Sequence, residues 1–593
     1  MECGHDRTEN LDLNMPRLTN SERTGTLLHT PSLEQIERAL LILIGFLIAF
    51  SFHRLFITNI NWDEFFYLSF IYDYQRGVPL SVFQTFHVHL FGWLTSLPGN
   101  EIHQILAGRS VAWLLMCGSS WFIYAISRKY CSRLAGLVAV LLYLSFSYVM
   151  DHGLSFRTDP ICAVFFVAAL YLLLHDDRSR FHLPISAALM AVAMMISIKS
   201  VFYLPTFGII FLARVVTREG KSDAVKGAIL FSIVFGGAFL TLYLFHSLSL
   251  AESTQADPTI FLASVGSKVL LWDDLFPRLP YLVRAGQENL IVWGLVMLGT
   301  VGMIGRVVGK EEQESGLVLL AFLVPLGSLI IYRNAFPYFF VFLMPAAVVL
   351  GGAGCDVLLA RGREIGTKIY GMTIVVALFA QAGVFLADYV ARLPDQTIAQ
   401  REIIELVHRM FPKPVPYVDR SSMVPSHRKV GFFMSTWGME SYRARGEPVM
   451  AGILQSEQPR YLIANSWALD ISEPQIGGEA ANAYKLLDED HRILRENFVH
   501  HWGIVYVAGK QFDLRPSEPE TFEVLISGVH TLESPVPVLI DGVIYEPDEQ
   551  VVFDQGTHRI ASVGGPGHAV LRWGANLYRP DKTPSRRPVF YNF

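Results

Sequence analysis

Charge is what this chain has least of. Only 17% of its 593 residues are Asp, Glu, Lys or Arg while 52% are apolar, and its mean hydropathy is +0.36. A soluble protein of this length carries about a quarter charged residues, so the composition excludes an ordinary globular enzyme and points to a polytopic membrane protein. The net charge is −5 and no tract is rich in Lys or Arg, which argues against nucleic acid as a partner. Cysteine is scarce too. Cys3, Cys117, Cys131, Cys162 and Cys355 show no metal-ligand spacing and none lies beyond residue 355, so no disulfide framework is expected. There is no GxxxxGK[ST] phosphate loop to drive transport with nucleotide. The apolar runs read as free of mid-span ionisable residues, the groups that ion-coupled transporters need. The start also lacks the short basic stretch and small-residue cleavage site of a secretory signal. Residues 1–36 are therefore expected to be a flexible cytoplasmic tail, with the first span serving as an uncleaved signal.

What is present is a series of long hydrophobic segments. Crossing the hydrocarbon takes about 20 mostly apolar residues, with roughly 17 to 25 tolerated. Segments near 37–56, 104–127, 132–149, 160–175, 183–198, 201–216, 226–249, 287–305, 315–332, 337–357 and 368–388 qualify or fall slightly short, predicting a mainly α bundle of about eleven spans over 37–390. The fifth and sixth are short enough to form one re-entrant unit. Basic residues resist translocation in short loops, so "SRKYCSR", "HDDRSR", "RVVTREGKSDAVK", "GRVVGKEEQ" and "ARGREIGTK" mark the cytoplasmic side. Arg76, Arg157, Lys199, Lys268, Arg278, Arg284 and Arg333 are then mostly isolated cations on the other side. An odd span count puts the amino terminus inside and everything after residue 389 outside.

The tail of about 200 residues is long enough for its own core. "REIIELVHRMF" has helical periodicity, and "RYLIANSW" and "WGIVYVAG" read as buried strands, predicting an α/β lobe over 391–518. In "PVLIDGVIYEP", two β-rich runs flank Asp541-Gly542, a hairpin signal because the turn needs positive φ. With "FEVLIS", "HRIASV" and "AVLRW", this predicts a small β-sandwich over 519–593.

The suspicious charges lie at the outer mouths of the spans. Asp63 and Glu64 follow the first, in "ITNINWDEFFYLSF", a stretch that reads as an amphipathic helix lying on the membrane. Arg157 and Asp159 lie between the third and fourth, Lys199 between the fifth and sixth, and Arg333 between the ninth and tenth. Four loops distant in sequence thus offer acids and bases at one depth, as a site for a lipid-borne anionic substrate requires. Each residue also has a plainer reading. Asp159-Pro160 is what a helix N-terminus wants, Lys199 and Arg333 fit cations snorkelling to headgroups, and His87 and His89 suit interfacial packing.

The order "NWDEFFYL", "HVHLFGWL", "FRTDP" and "RNAFPYFFVFLMP" resembles the GT-C class of integral-membrane glycosyltransferases, nearest to protein O-mannosyltransferases and lipid A aminoarabinose transferases. The resemblance covers about residues 37 to 390. It implies a GT-C bundle with interfacial helices in the first outer loop, and inverting transfer of a sugar from a polyprenyl phosphate to a lipid, protein or glycan acceptor at the outer face of the cytoplasmic membrane. It makes Asp63 the expected base with Glu64 beside it, and Asp159 the second-loop acid. Lys199, Arg333 and Arg157 become expected donor-phosphate ligands, and Tyr67, His87, His89 and Tyr338 substrate contacts. No cofactor is obligatory, although Asp63, Glu64 and Asp159 offer oxygens to a divalent cation. The chain departs from the aminoarabinose pattern where Phe66 replaces an arginine before Tyr67, and where His87-Val88-His89 stands for Lys-Pro-Pro. The alternatives are a cell-wall or capsular polysaccharide transferase whose tail stacks sugars on Trp467, Trp502 or Trp573, a flippase for a lipid-linked glycan, and a non-catalytic scaffold.

Overall fold

The computed structural model describes residues 32–175, 179–218, 220–251, 275–310, 312–364, 369–473, 485–516 and 518–591. The expected amino-terminal tail and Lys268 therefore fall almost wholly outside the described residues. The first apolar segment is helix α1 (Leu33–Ile57), opened by a capping box in which Ser32 and Gln35 satisfy each other's backbone N–H groups. A short extended stretch leads to α2 (Trp62–Gln75), then α3 (His87–Phe91) and the long α4 (Glu101–Tyr130).

Among the described residues, seven helices are long and apolar enough to cross a membrane. They are α1, α4, Ile198–Thr217, Lys221–Ser249, Leu290–Val308, Gln313–Ile331 and Phe339–Gly362. Arg133–Leu144, Thr158–Leu174, His182–Ile196 and Phe379–Ala391 are apolar but shorter. The centre of the bundle is Phe339–Gly362, most of whose residues are buried, whereas Lys221–Ser249 turns nearly its whole surface outward as a lipid-facing helix does. The central helix meets Leu290–Val308 at glycine. A Cβ on Gly299 would sit 2.0 Å from the Leu350 carbonyl oxygen, and one on Gly354 the same distance from that of Leu295, so backbone packs directly on backbone.

The carboxy-terminal lobe begins with helix Ile398–Met410, as its periodicity predicts. It then forms β1 (Pro416–Val418), β2 (Arg428–Lys429), β3 (Tyr461–Ile463), β4 (Phe498–Trp502), β5 (Val505–Leu514) and β6 (Glu520–Val524). There follow β7 (Gly528–Glu533), β8 (Val538–Ile540), β9 (Val543–Tyr545), β10 (Gln550–Phe553), β11 (Gly556–Ser562) and β12 (Gly567–Trp573). One sheet runs β10-β7-β12-β5-β3-β1-β2 with β4 also on β5, and a second runs β6-β11-β8-β9. Asp541 and Gly542 take φ of 48° and 86° and close the β8–β9 hairpin as expected. The expected division at 518/519 does not separate two sheets, because β5 pairs with β3 on one side and β12 on the other. A single sheet thus spans both expected units, and a shared apolar cluster of Phe512, Phe522, Val538 and Leu571 draws on both sheets.

The lobe sits on the end of the bundle that carries α2. Arg76, at the end of α2, donates to the carbonyls of Pro425 and His427 at 3.0 and 3.4 Å and to that of Ser426. Glu101, at the start of α4, accepts from His408 at 2.8 Å and from Ser426. Gln400 spans the Ile60 backbone, accepting its N–H and donating to its carbonyl. The chain end returns to the same place, with Asn59 Nδ2 donating to the Val589 carbonyl at 3.0 Å.

Candidate active site

Helix α2 begins because Asn61 caps it. The Asn61 side chain accepts from the Asp63 N–H at 2.9 Å, and Glu64 reaches back to the Asn61 N–H, also at 2.9 Å. The helix buries Phe65, Leu68 and Ile71 together with Glu64, one stripe at helical spacing, and that rotation sends the two adjacent acids in different directions.

Asp63 enters a chain of alternating charges. It pairs with Arg157, whose Nε lies 3.4 Å from Asp159, which in turn accepts from Lys199 Nζ at 2.6 Å. Arg157 and Asp159 are 3% and 0% exposed, whereas Asp63 and Lys199 keep 17% and 10%. The carboxylate and the ammonium are thus the open ends of a chain whose middle is sealed. Tyr338 roofs it, its ring centre 3.7 Å from the Arg157 guanidinium carbon and 5.0 Å from Lys199 Nζ, and Tyr67 lies 5.9 Å from the same guanidinium. Thr158 donates to the Tyr67 hydroxyl at 3.3 Å.

Local backbone explains how these residues arrive. Arg157 is extended and stands at the N-cap of helix Thr158–Leu174 without capping it through its side chain. Asp159 belongs to the first turn, so the plain reading of Asp159 as the cap is not what the structure shows: its carboxylate turns to Lys199 and Arg157. Lys199 lies in a 3₁₀ segment, Ile198–Tyr203, that breaks the fifth apolar helix from the sixth at the extended residue Ser197.

Glu64 is placed elsewhere than expected. It is fully buried and grips Arg109 in two parallel bonds of 2.6 and 2.8 Å, while accepting from the Asn61 and Phe156 N–H groups. Burial alone would raise its pKa, but Arg109 and these backbone donors outweigh it and hold the carboxyl below its usual range. Arg109 also donates to the Leu55, Thr58 and Asn59 carbonyls. With no proton-accepting face left open, Glu64 is an anchor rather than a base. It fastens the loop immediately before Arg157.

Arg333, an expected donor-phosphate ligand, pairs with Glu440 of the carboxy-terminal lobe at 2.9 Å. His87 is buried, its Nε2 3.0 Å from the Tyr67 carbonyl, and desolvation pulls its pKa down to about 4, so it is a neutral packing group under Tyr67. His89 meets His246 at 2.8 Å. Arg109 is the participant that sequence reasoning passed over. It lies inside the apolar run 104–127, read as free of charge, and that lone arginine was itself the signal. Arg54 of α1, 2% exposed and paired with Asp151 and Asp388, is a second such case. Among the described residues, no group of three His, Cys, Asp or Glu side chains is placed to hold a metal ion.

A helical bundle that carries a mixed α/β lobe on one end gives this chain the fold of the GT-C membrane glycosyltransferases. Within that class, residues 88–246 match the family described as dolichyl-phosphate-mannose-protein mannosyltransferase, a stretch that includes Arg157, Asp159 and Lys199 and stops short of Asp63. Among solved structures, ArnT from Cupriavidus metallidurans bound to undecaprenyl phosphate aligns with a TM-score of 0.53 at 14% identity, over 72% of this chain and 92% of that one. The Archaeoglobus fulgidus oligosaccharyltransferase in its apo form aligns with a TM-score of 0.51 at 10% identity, over 87% and 76%. AglB from the same organism, in complex with an inhibitory peptide and a dolichol-phosphate, gives 0.51 at 9% identity over 93% and 98%. At these identities the likeness is one of fold. No curated protein matches the sequence.

Proposed function

We propose that this protein is a membrane glycosyltransferase that moves a sugar from a polyprenyl phosphate to an acceptor hydroxyl at the outer face of the cytoplasmic membrane. The observation that carries this reading is the Asp63–Arg157–Asp159–Lys199 chain, assembled from three loops at the lobe-bearing end of the bundle. The matched family's description and the lipid phosphates bound in the ArnT and AglB structures support the same class of donor. In this reading all eleven apolar segments span the bilayer, with the amino terminus inside and the lobe outside.

The chemistry is a single displacement. The acceptor oxygen attacks the anomeric carbon while the bond to the phosphate oxygen breaks, and the bonding pair leaves with the lipid phosphate, inverting the centre. Asp63 takes the acceptor's proton, a service worth about 10² to 10⁴ in rate. Its Oδ2 is held by Arg157, which leaves Oδ1 to receive that proton. Lys199, the open cation, meets the negative charge that grows on the departing phosphate, so its contribution is larger in the transition state than in the ground state. Asp159 positions both cations, and Tyr338 and Tyr67 wall the site. Phosphate leaves without a general acid.

The test is purified protein in lipid nanodiscs, given synthetic polyprenyl-phosphate sugars and a membrane extract. Sugar should appear on an acceptor with stoichiometric release of polyprenyl phosphate, and the product linkage should be opposite to the donor's. Export of intact donor across a vesicle membrane without transfer would replace this reading with a flippase.

A further inference from the structure

A cavity of about 330 Å³ opens between the start of α2, the carboxy-terminal lobe and the returning chain end. Its walls are Asn61 and Trp62, the β3-following loop Ala464–Trp467 with Ile504, Arg420 from the lobe, and the strap 587–591. Two arginines and two tryptophans line this space, and no carboxylate side chain is among its described lining residues, in a chain whose net charge is −5. The Arg420 guanidinium carbon lies 3.2 Å from the centre of the Trp62 ring, its Nε donates to the Met434 carbonyl at 3.2 Å, and its backbone N–H donates to Asn465 at 3.1 Å. The cation is thus fixed flat on an aromatic face. Arg587, from the strap, donates to the Asp395 carbonyl. Trp467 is 63% exposed at the rim, although the core of this lobe is otherwise well filled and Trp502 is buried.

Fixed aromatic faces beside hydrogen-bonding amides suit the apolar faces and hydroxyl edges of a pyranose ring, and planar guanidinium groups suit a carboxylate or phosphate. The volume lies in the range of small-molecule sites. Asn61 ties this cavity to the reaction centre. It lines the wall, and its side chain accepts from the Asp63 N–H at 2.9 Å, so the cavity and the proposed base share the first turn of α2.

We infer that this cavity is the acceptor subsite and that the acceptor is an anionic saccharide, its ring stacked on Trp467 and its carboxylate or phosphate held by Arg420 and Arg587. This rests on the transferase reading above and names its acceptor class. A sugar so held presents a neighbouring residue's hydroxyl toward Asp63, while the lipid donor approaches from the bilayer side at Lys199. Residues 587–591 are then part of the subsite, because they form one wall.

Binding is read on the full-length protein in nanodiscs by ligand-observed NMR, with four probes: a glucuronic-acid-containing disaccharide, its neutral glucose counterpart, inorganic phosphate, and vesicles of anionic phospholipid. The acidic disaccharide should bind about tenfold or more tightly than the neutral one, with affinity falling as salt rises. Arg420→Gln should erase that preference, and Trp467→Ala should weaken both sugars. In transfer assays the same variants should act on the acceptor KM more than on kcat. Equal binding of the two disaccharides, binding of phosphate alone as tight as the acidic sugar, preference for vesicles, or indifference to both substitutions would each overturn the inference. Failure here is distinguishable from failure of the transferase reading. Transfer to acceptors whose KM ignores Arg420 and Trp467 sinks only this subsite, and acidic-sugar binding without transfer from any polyprenyl donor sinks only the chemistry.

Discussion

Asp63 and Glu64 are adjacent in sequence, yet the structure assigns them opposite consequences on mutation. Glu64→Gln removes the counter-charge of Arg109, which is 4% exposed. Breaking one side of a buried pair costs about 3–5 kcal/mol, because the remaining ion stays desolvated and unneutralised. Arg109 keeps its three carbonyl partners, so the lower end of that range applies. Removing both charges should not restore stability. In Glu64→Gln with Arg109→Met, the Leu55, Thr58 and Asn59 carbonyls lose their donor, at about 1–3 kcal/mol for each left dry. Asp63→Asn is different, since Asp63 sits at the open end of its chain and Arg157 keeps Asp159. Its stability cost should stay below that of Glu64→Gln, because Asp159 still neutralises the buried Arg157, and its activity loss should be about 10²-fold to 10⁴-fold. The assay is thermal unfolding of detergent-solubilised protein alongside sugar transfer. Glu64→Gln should lower the midpoint and yield markedly, and Asp63→Asn should lower them less while cutting turnover by about 10²-fold to 10⁴-fold. A Glu64→Gln protein of wild-type midpoint with lost turnover, or a full rescue by the double variant, would refute the assignment of Glu64 as anchor.

Further outcomes follow from the same geometry. A Cβ on Gly108 would lie 2.5 Å from the Phe156 ring, so Gly108→Ala should displace the residue before Arg157, costing about 1–3 kcal/mol and lowering transfer; unchanged activity and midpoint would contradict the packing. Lys199→Ala should lower turnover about 10² to 10³-fold, with partial recovery in Lys199→Arg, and full activity would remove Lys199 from the leaving-group site. The hydrogen bond to Glu101 raises the His408 pKa above the usual 6.5 against the opposing effect of burial. Its contribution to holding the lobe on the bundle should be complete below about pH 6.5 and fade as pH rises through the raised value. Limited proteolysis across that window should show the lobe loosening, and His408→Gln should flatten the profile; an identical profile in the variant would exclude the latch.

The legible part of this molecule is the part written in local sequence. The helical apolar runs, the strand-like runs "RYLIANSW" and "WGIVYVAG" and the Asp541-Gly542 turn each specify local structure from their own residues, and helices, the strands β3 and β5 that overlap those runs, and the turn are found there. So is the gathering of Asp63, Arg157, Asp159 and Lys199, because charges at the mouths of spans have one end of a bundle to share. What escaped depends on partners far away in sequence. Nothing near Glu64 announces Arg109, 45 residues on, and nothing near Arg333 announces Glu440, 107 residues on. The division at residue 518 fails for the same reason. Turn chemistry marks where hairpins fold, but the β5–β12 pairing that carries one sheet across the division joins strands separated by six others.

The most direct test of the central claim is a cryo-EM map of the protein in nanodiscs with a polyprenyl phosphate bound. The phosphate should lie within hydrogen-bond reach of Lys199 or Arg157, with Asp63 facing the same space. A phosphate seated at the opposite end of the bundle, or too far from both cations to share a hydrogen bond with either, would contradict the account.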